Sequence, residues 1–168
     1  SLARLQSPVL QPIERDSLSP IQRTAPVKSK TLIVIPARMQ ATRLPGKPLA
    51  DIHGLPMIVH VWRRAVAARC GDVIVATDSG EIADAVARAG GEAILTRADH
   101  ASGSDRVYEA ITKKDPTGSA GIIVNLQGDL PTLDPALVAA SVAPLLESDA
   151  DIATLAAEIR EPEERTNP

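Results

Sequence analysis

Aromatic side chains are nearly missing from this 168-residue chain, which holds one Trp, one Tyr and no Phe. Its core must therefore be filled by Val, Ile, Leu and Ala, a set that suits a parallel sheet buried on both faces by helices. Cysteine is as scarce. Cys70 stands alone, which excludes an intrachain disulfide and a cysteine-based zinc site and is compatible with a reducing cytosol. No run approaches the roughly 20 consecutive apolar residues that a membrane-spanning helix requires. The start also lacks the basic-then-apolar order of a secretory signal, so the expectation is a soluble, cytoplasmic protein with no membrane partner. The net charge of -3 and the lack of any Lys/Arg block leave no electrostatic footprint for a nucleic acid. Two nucleotide motifs are missing as well. No G-x-G-x-x-G follows an apolar strand, which argues against a dinucleotide-dependent oxidoreductase, and Ala41 and Pro48 stand where a Walker P-loop ending in Gly46-Lys47 needs Gly and Ser or Thr.

The length fits one domain. Residues 1–30 contain four prolines (Pro8, Pro12, Pro20 and Pro26), no glycine and no apolar period, and read as a poorly ordered extension. From Thr31 short apolar runs alternate with helical periods. Strands are expected at Leu32 to Ile35, Val73 to Ala76, Ala93 to Leu95, Ile122 to Leu126 and Ile152 to Ala157. Between them lie helices at about Pro56 to Arg69, with Ile58, Val61, Trp62, Ala65 and Val66 on the apolar face, and at about Ser79 to Ala89. Two more run from Asp105 to Lys114 and from about Asp134 to Glu147. Ser79 is expected to cap the second helix, Gly90-Gly91 to stop it, and Asp134-Pro135 to open the last. This β-α-β-α order predicts an α/β fold with a doubly wound, mostly parallel sheet over residues 31–168, binding its ligand outside the carboxyl ends of the strands.

The unusual residue choices gather in the loops at those ends. The first loop, Pro36 to Pro48, carries Arg38, Arg43 and Lys47 around Gly46, a combination of fixed positive charge and close backbone approach that suits a triphosphate and equally describes a solvated basic loop. In Thr77-Asp78-Ser79, Asp78 could contact a ligand or support the helix cap, and the cap is the favoured reading. Thr96 to Asp105 brings Arg97, Asp99, His100, Ser102 and Gly103 together, able to meet a base or simply to begin a helix. Asn125 to Pro131 ends a buried strand in Gln127-Gly128-Asp129, where Asp129 is either a turn residue or a ligand for Mg²⁺, which favours one or two carboxylates with phosphate oxygens and water.

In order, P-A-R-x-x-x-T-R-L-P-G-K-P-L, A-T-D, T-R-A-D-H-x-S-G-S-D-R and N-L-Q-G-D-x-P resemble the 3-deoxy-manno-octulosonate cytidylyltransferase family, over about Thr31 to Pro168. The resemblance implies a fold of the nucleotide-diphospho-sugar transferase type. It also implies transfer of CMP from CTP to a sugar acid with release of pyrophosphate, in lipopolysaccharide biosynthesis. Arg38 and Lys47 resemble the triphosphate clamps, assisted by Arg43. Arg97, Ser102 and Gly103 resemble the cytosine-reading residues, with Asp99 and His100 beside them and Gln127 approaching nucleotide or sugar. Asp129 resembles the magnesium ligand, although Leu130 follows it where the family often has an acidic residue. Family members continue beyond Pro168 with further sugar contacts, a second metal carboxylate and much of a homodimer contact. A chain truncated at its carboxyl end is therefore expected, with little transferase activity of its own. The alternatives are a noncatalytic nucleotide-binding fragment and a cytidylyltransferase for another acidic sugar.

Overall fold

The computed structural model describes residues 30–40 and 45–156. β1 (Lys30–Ala37) leads to a 3₁₀ turn at Lys47–Leu49, then a small hairpin of β2 (Asp51–Ile52) and β3 (Leu55–Pro56). α1 (Met57–Ala67), β4 (Asp72–Thr77), α2 (Gly80–Arg88) and β5 (Glu92–Leu95) follow, then α3 (Gly103–Lys114), β6 (Ala120–Asn125) and α4 (Pro135–Glu147). The four longer strands form one sheet in the order β5-β4-β1-β6 with every pair parallel. Its two faces divide the strand residues by alternation. Ile33, Ile35 and Val75 face α1, α2 and α4, whereas Leu32, Val34, Ile74 and Ala76 pack against Val107 and Ala110 of α3. Each fully buried aliphatic side chain contributes about 1.5–3 kcal/mol, so β1, with Ile33, Val34 and Ile35 all at 0% exposure, anchors the fold without an aromatic residue.

Local chemistry sets the boundaries. The Ser79 side chain accepts from the Ile82 N–H at the start of α2, and Gly90 at φ 87° ends that helix. Asp134 caps α4 by accepting from Ala136 N–H, with Pro135 in the first turn. α3 begins two residues before the expected Asp105, because Ser102 and Asp105 form a reciprocal capping box in which each side chain accepts from the other's N–H.

Three other expectations are corrected. Lys30 is paired in β1 with Ala120 rather than belonging to an extension; residues 1–29 lie outside the described residues. Val66 is 45% exposed, since the buried stripe of α1 is centred on Met57, Ile58, Val61 and Ala65 and leaves Val66 on its rim. Residues 152–156 form no strand: Ile152 is 87% exposed and no sheet edge pairs with this run, while Ala157 lies outside the described residues. An apolar run without a partner edge has no ladder to join.

Candidate functional site

The sheet order places a switch point between β1 and β6. The chain leaves β1 for β4 on one side, extends to β5, and then crosses to β6 on the other. The crevice outside the carboxyl ends of such a pair is where an open parallel sheet receives a ligand. Hydrogen bonds carry the contact past the end of the strands, with Leu126 N–H donating to Val34 C=O at 3.0 Å. A Cβ on Gly128 would stand 2.5 Å from the Pro36 carbonyl oxygen, so only glycine lets the β6 loop cross β1 this closely.

Lys47 returns to this edge through a local device. Gly46, at φ 75°, donates its N–H to Met39 C=O at 3.0 Å and so stands beside the end of β1. The 3₁₀ turn then begins at Lys47, and Lys47 Nζ lies 3.0 Å from Asp129 Oδ2, both side chains remaining more than a third exposed. A cation from the β1 loop and a carboxylate from the β6 loop thus meet at the switch point. Arg38, exposed at the end of β1, lines a cavity of about 200 Å³ together with His100, Ser102, Gly103 and Gln127. It also lines a second hollow of about 330 Å³ with Asp78 and Ser79. Arg43 lies outside the described residues.

The loop from Thr96 to Ser102 divides its residues between two sides. Arg97 donates through Nε and Nη2 to the two oxygens of Asp99, at 2.8 and 3.0 Å, and the pair faces open solvent. That hydrogen bond holds the Asp99 carboxyl below its ordinary range. Both residues line an outer hollow of about 610 Å³ with Tyr108 and Lys113; His100 borders this hollow and the inner cavity alike. The structure therefore gathers Arg38, His100, Ser102, Gly103 and Gln127 around one cavity and Lys47 against Asp129, and sets Arg97 and Asp99 on the outer side. Ser102 Oγ is engaged in the capping box, donating to Asp105 Oδ2 at 2.7 Å. Gly103 is free of such a demand: a Cβ there would find only Pro36, at 3.7 Å.

Asp78 does not support the α2 cap. Thr77 Oγ1 accepts the Ser79 N–H, while Asp78 Oδ2 accepts from Arg106 Nη2 at 2.9 Å. Arg106 is itself 3% exposed and also donates from Nη1 to Thr96 Oγ1 at 2.6 Å. One buried guanidinium on α3 thus ties the loop after β4 to the loop after β5 and forms part of the inner cavity wall. Sequence reasoning passed over Arg106 and its neighbour Glu109. The signal for Arg106 was available: it stands four residues before Ala110 and next to Val107, so the apolar stripe of α3 contains a charge. Glu109 gave no such signal, since with Lys113 four residues on it reads as an ordinary surface pair.

Asp129 has the chemistry of a magnesium ligand in one respect. It is a hard, solvent-accessible carboxylate beside a cationic loop, able to share a metal with phosphate oxygens and water. Among the described residues no group of three or more His, Cys, Asp or Glu side chains could hold a metal without such help. No helix among them is long and apolar enough to cross a membrane.

Comparison with known proteins adds an independent line. The family model described as cytidylyltransferase matches residues 32–168. The 3-deoxy-manno-octulosonate cytidylyltransferase of Paramagnetospirillum magneticum is 64% identical over 137 residues, covering 82% of this chain and 56% of its own length. The protein of the same name from Rhodopseudomonas palustris is 60% identical over 141 residues, covering 84% of this chain and 58% of its own. A solved structure of CMP:2-keto-3-deoxy-manno-octonic acid synthetase complexed with CTP superimposes with a TM-score of 0.65 at 47% identity, over 70% of this chain and 47% of that one. The chain thus spans little more than half the length of the curated relatives it matches.

Proposed function

The chain belongs to the cytidylyltransferase family, and from that premise we propose that it supplies the nucleotide-binding part of an enzyme that transfers CMP from CTP to 3-deoxy-D-manno-octulosonate. In this reaction the anomeric hydroxyl oxygen of the sugar acid forms a bond to the α-phosphorus. The bond from that phosphorus to the α,β-bridging oxygen breaks, and pyrophosphate leaves with the electron pair. The hydroxyl proton passes to solvent. The product is a precursor for lipopolysaccharide, and a cytoplasmic location belongs to the same proposal.

The observation that carries this reading is the meeting of Lys47 and Asp129, 3.0 Å apart, at the switch point of the sheet. Lys47 and Arg38 hold the triphosphate oxygens and offset the charge that gathers on the leaving pyrophosphate, a role in which fixed cations at a sheet edge need no reorganisation. Asp129 is the residue that would hold Mg²⁺, and the metal would supply neutralisation of phosphate charge there. The loop from Thr96 to Gly103 takes the cytidine, and Gln127 meets nucleotide or sugar from the β6 side of the same cavity.

Nucleotide titrations test the reading. CTP with Mg²⁺ is expected to bind in preference to UTP and ATP. Lys47→Ala, which removes a charge-assisted contact, is expected to weaken CTP binding roughly 10- to 100-fold. Asp129→Asn is expected to abolish the magnesium dependence of binding. Equal affinity for all three nucleotides, or affinity untouched by both substitutions, refutes the proposal. A pyrophosphate-release assay with the sugar acid present then separates turnover from binding alone.

A further inference from the structure

Glu109 lies on α3, outside every motif residue given a role above, yet it is the most heavily engaged carboxylate near the cavity. Its Oε2 accepts the Arg97 backbone N–H at 3.1 Å and also pairs with Nε2 of His100. Its Oε1 meets Lys113 Nζ at 2.7 Å. The Glu109 and His100 side chains are both largely buried, so the bond between them is sheltered from water, whereas the Lys113 side chain is half exposed. A single carboxylate oxygen therefore holds two residues of one loop, three positions apart, against a helix whose own start is fixed by the Ser102–Asp105 capping box.

The Lys113 ammonium first, then the His100 ring and the Arg97 N–H, keep Glu109 ionised, lowering its carboxyl to about 2. An ionised carboxylate only accepts, so the His100 nitrogen facing it must carry a proton. The tautomer and the plane of the imidazole that borders the inner cavity are thereby set from α3 and not from the loop itself. Arg106 ties Thr96 of the same loop from one turn earlier on the helix, and Lys113 Nζ donates to Leu95 C=O at 2.8 Å. Leu95, Thr96, Arg97 and His100 are thus referenced to successive turns of α3.

We infer that Glu109 is the positioning residue of the base-binding loop: it fixes the Arg97 backbone and the His100 ring in the arrangement that distinguishes cytidine from other nucleosides. The inference rests on the reading that this loop takes the cytidine of CTP. A residue that merely supports the fold, when lost, weakens all nucleotides alike. A residue that positions a recognition loop, when lost, changes the choice among them.

The test compares Glu109→Ala, Glu109→Gln and Lys113→Ala in the 168-residue chain, with far-UV circular dichroism showing that each is folded. CTP and UTP affinities and the hydrogen exchange of the Arg97 amide are measured in each. Loss of two hydrogen bonds to a charged acceptor is expected to cost Glu109→Ala roughly 10- to 100-fold in CTP affinity, with the CTP-over-UTP preference falling by a similar factor. Glu109→Gln, whose amide oxygen still accepts from both partners, is expected to keep the preference within about threefold of the original. Lys113→Ala removes the outer ion pair and the bond to Leu95 C=O but leaves both contacts of Glu109 Oε2 in place, and is expected to leave the preference unchanged. The Arg97 amide should exchange faster in Glu109→Ala alone. Equal weakening of CTP and UTP overturns the inference, as does an Arg97 amide that stays protected in Glu109→Ala. Should the unaltered chain show no preference for CTP, the functional reading above fails, and the Arg97 exchange still decides by itself whether Glu109 orders the loop.

Discussion

Replacing Asp78 by alanine separates two accounts of the same residue by magnitude. As support for a helix cap, Asp78 would contribute at most about 1 kcal/mol, the usual cost of losing a capping side chain. In the structure it is instead the counter-ion of Arg106, whose side chain is 4% exposed while that of Asp78 is 16% exposed. Removing one partner of a buried pair strands the other charge in a medium that cannot solvate it, a loss of about 3–5 kcal/mol. For a domain of this size each kcal/mol moves the melting temperature by about 2–4 °C, so Asp78→Ala should melt roughly 6–20 °C lower. Ser79→Ala, which removes the true cap acceptor for Ile82 N–H, should cost only about 1 kcal/mol. Urea denaturation of Asp78→Leu, Arg106→Met and the double variant Asp78→Leu/Arg106→Met closes the cycle. The double variant replaces the pair by apolar groups and is expected to recover most of the stability that either single change loses, because no unpaired charge remains. If Asp78→Ala costs no more than Ser79→Ala, or if the double variant is as unstable as the sum of the singles, the buried-strut account is wrong.

Acid should act on a second carboxylate in a defined window. Glu109 is lowered from an ordinary 4.5 to about 2, so its stabilising contribution is complete above about 4.5 and is lost as pH falls towards 2. The melting temperature of the unaltered chain should therefore drop more steeply between those values than that of Glu109→Gln, and superimposable pH profiles would count against the ionised carboxylate. Gly103→Ala should leave the fold as stable as before or raise stability by about 0.4–1 kcal/mol, since the added methyl meets only Pro36 at 3.7 Å. The same methyl enters the wall of the inner cavity, so CTP affinity should fall although stability does not; unchanged affinity in titrations removes Gly103 from the nucleotide site. Gly128→Ala should be costly by contrast, about 1–3 kcal/mol by chemical denaturation, because the new Cβ would stand 2.5 Å from the backbone oxygen of Pro36 and force the β6 loop away from β1.

Much of the architecture was legible because the strands are pure. Leu32 to Ile35 is a continuous aliphatic run, and the structure buries both of its faces, as such a run in a parallel sheet requires. The caps at Ser79 and Asp134 were legible for an equally local reason, since each depends on a side chain and an amide within three residues. The apolar run at residues 152–156 misled because strand formation is a property of a pair. Composition describes one partner and says nothing about whether an edge is waiting for it. Asp78 misled in the opposite way: its local role as a cap neighbour was plausible, and its actual partner lies 28 residues further along the chain.

The candidate site was legible in its lining and not in its supports, and the division has a physical cause. A polar residue in a loop between two buried strands is conspicuous, because its neighbours on either side are apolar and its exposure needs no explanation beyond the loop. Arg38, Lys47, Gln127 and Asp129 stand out in this way. The groups that hold the loops after β4 and β5 are placed differently. Glu109 sits on α3 where a charged residue is expected on any solvated helix, and Arg106, three residues earlier, shows only as a charge within the apolar stripe, with nothing local to name its partners. Their partners, Asp78, Thr96, Arg97 and His100, reach them only after β4, β5 and α3 have packed together. The loop after β5 therefore has its polar residues written in its own sequence and their placement written in a neighbouring helix. That is why exchanging Glu109, which belongs to no loop motif, should alter nucleotide choice as strongly as exchanging residues within the loop.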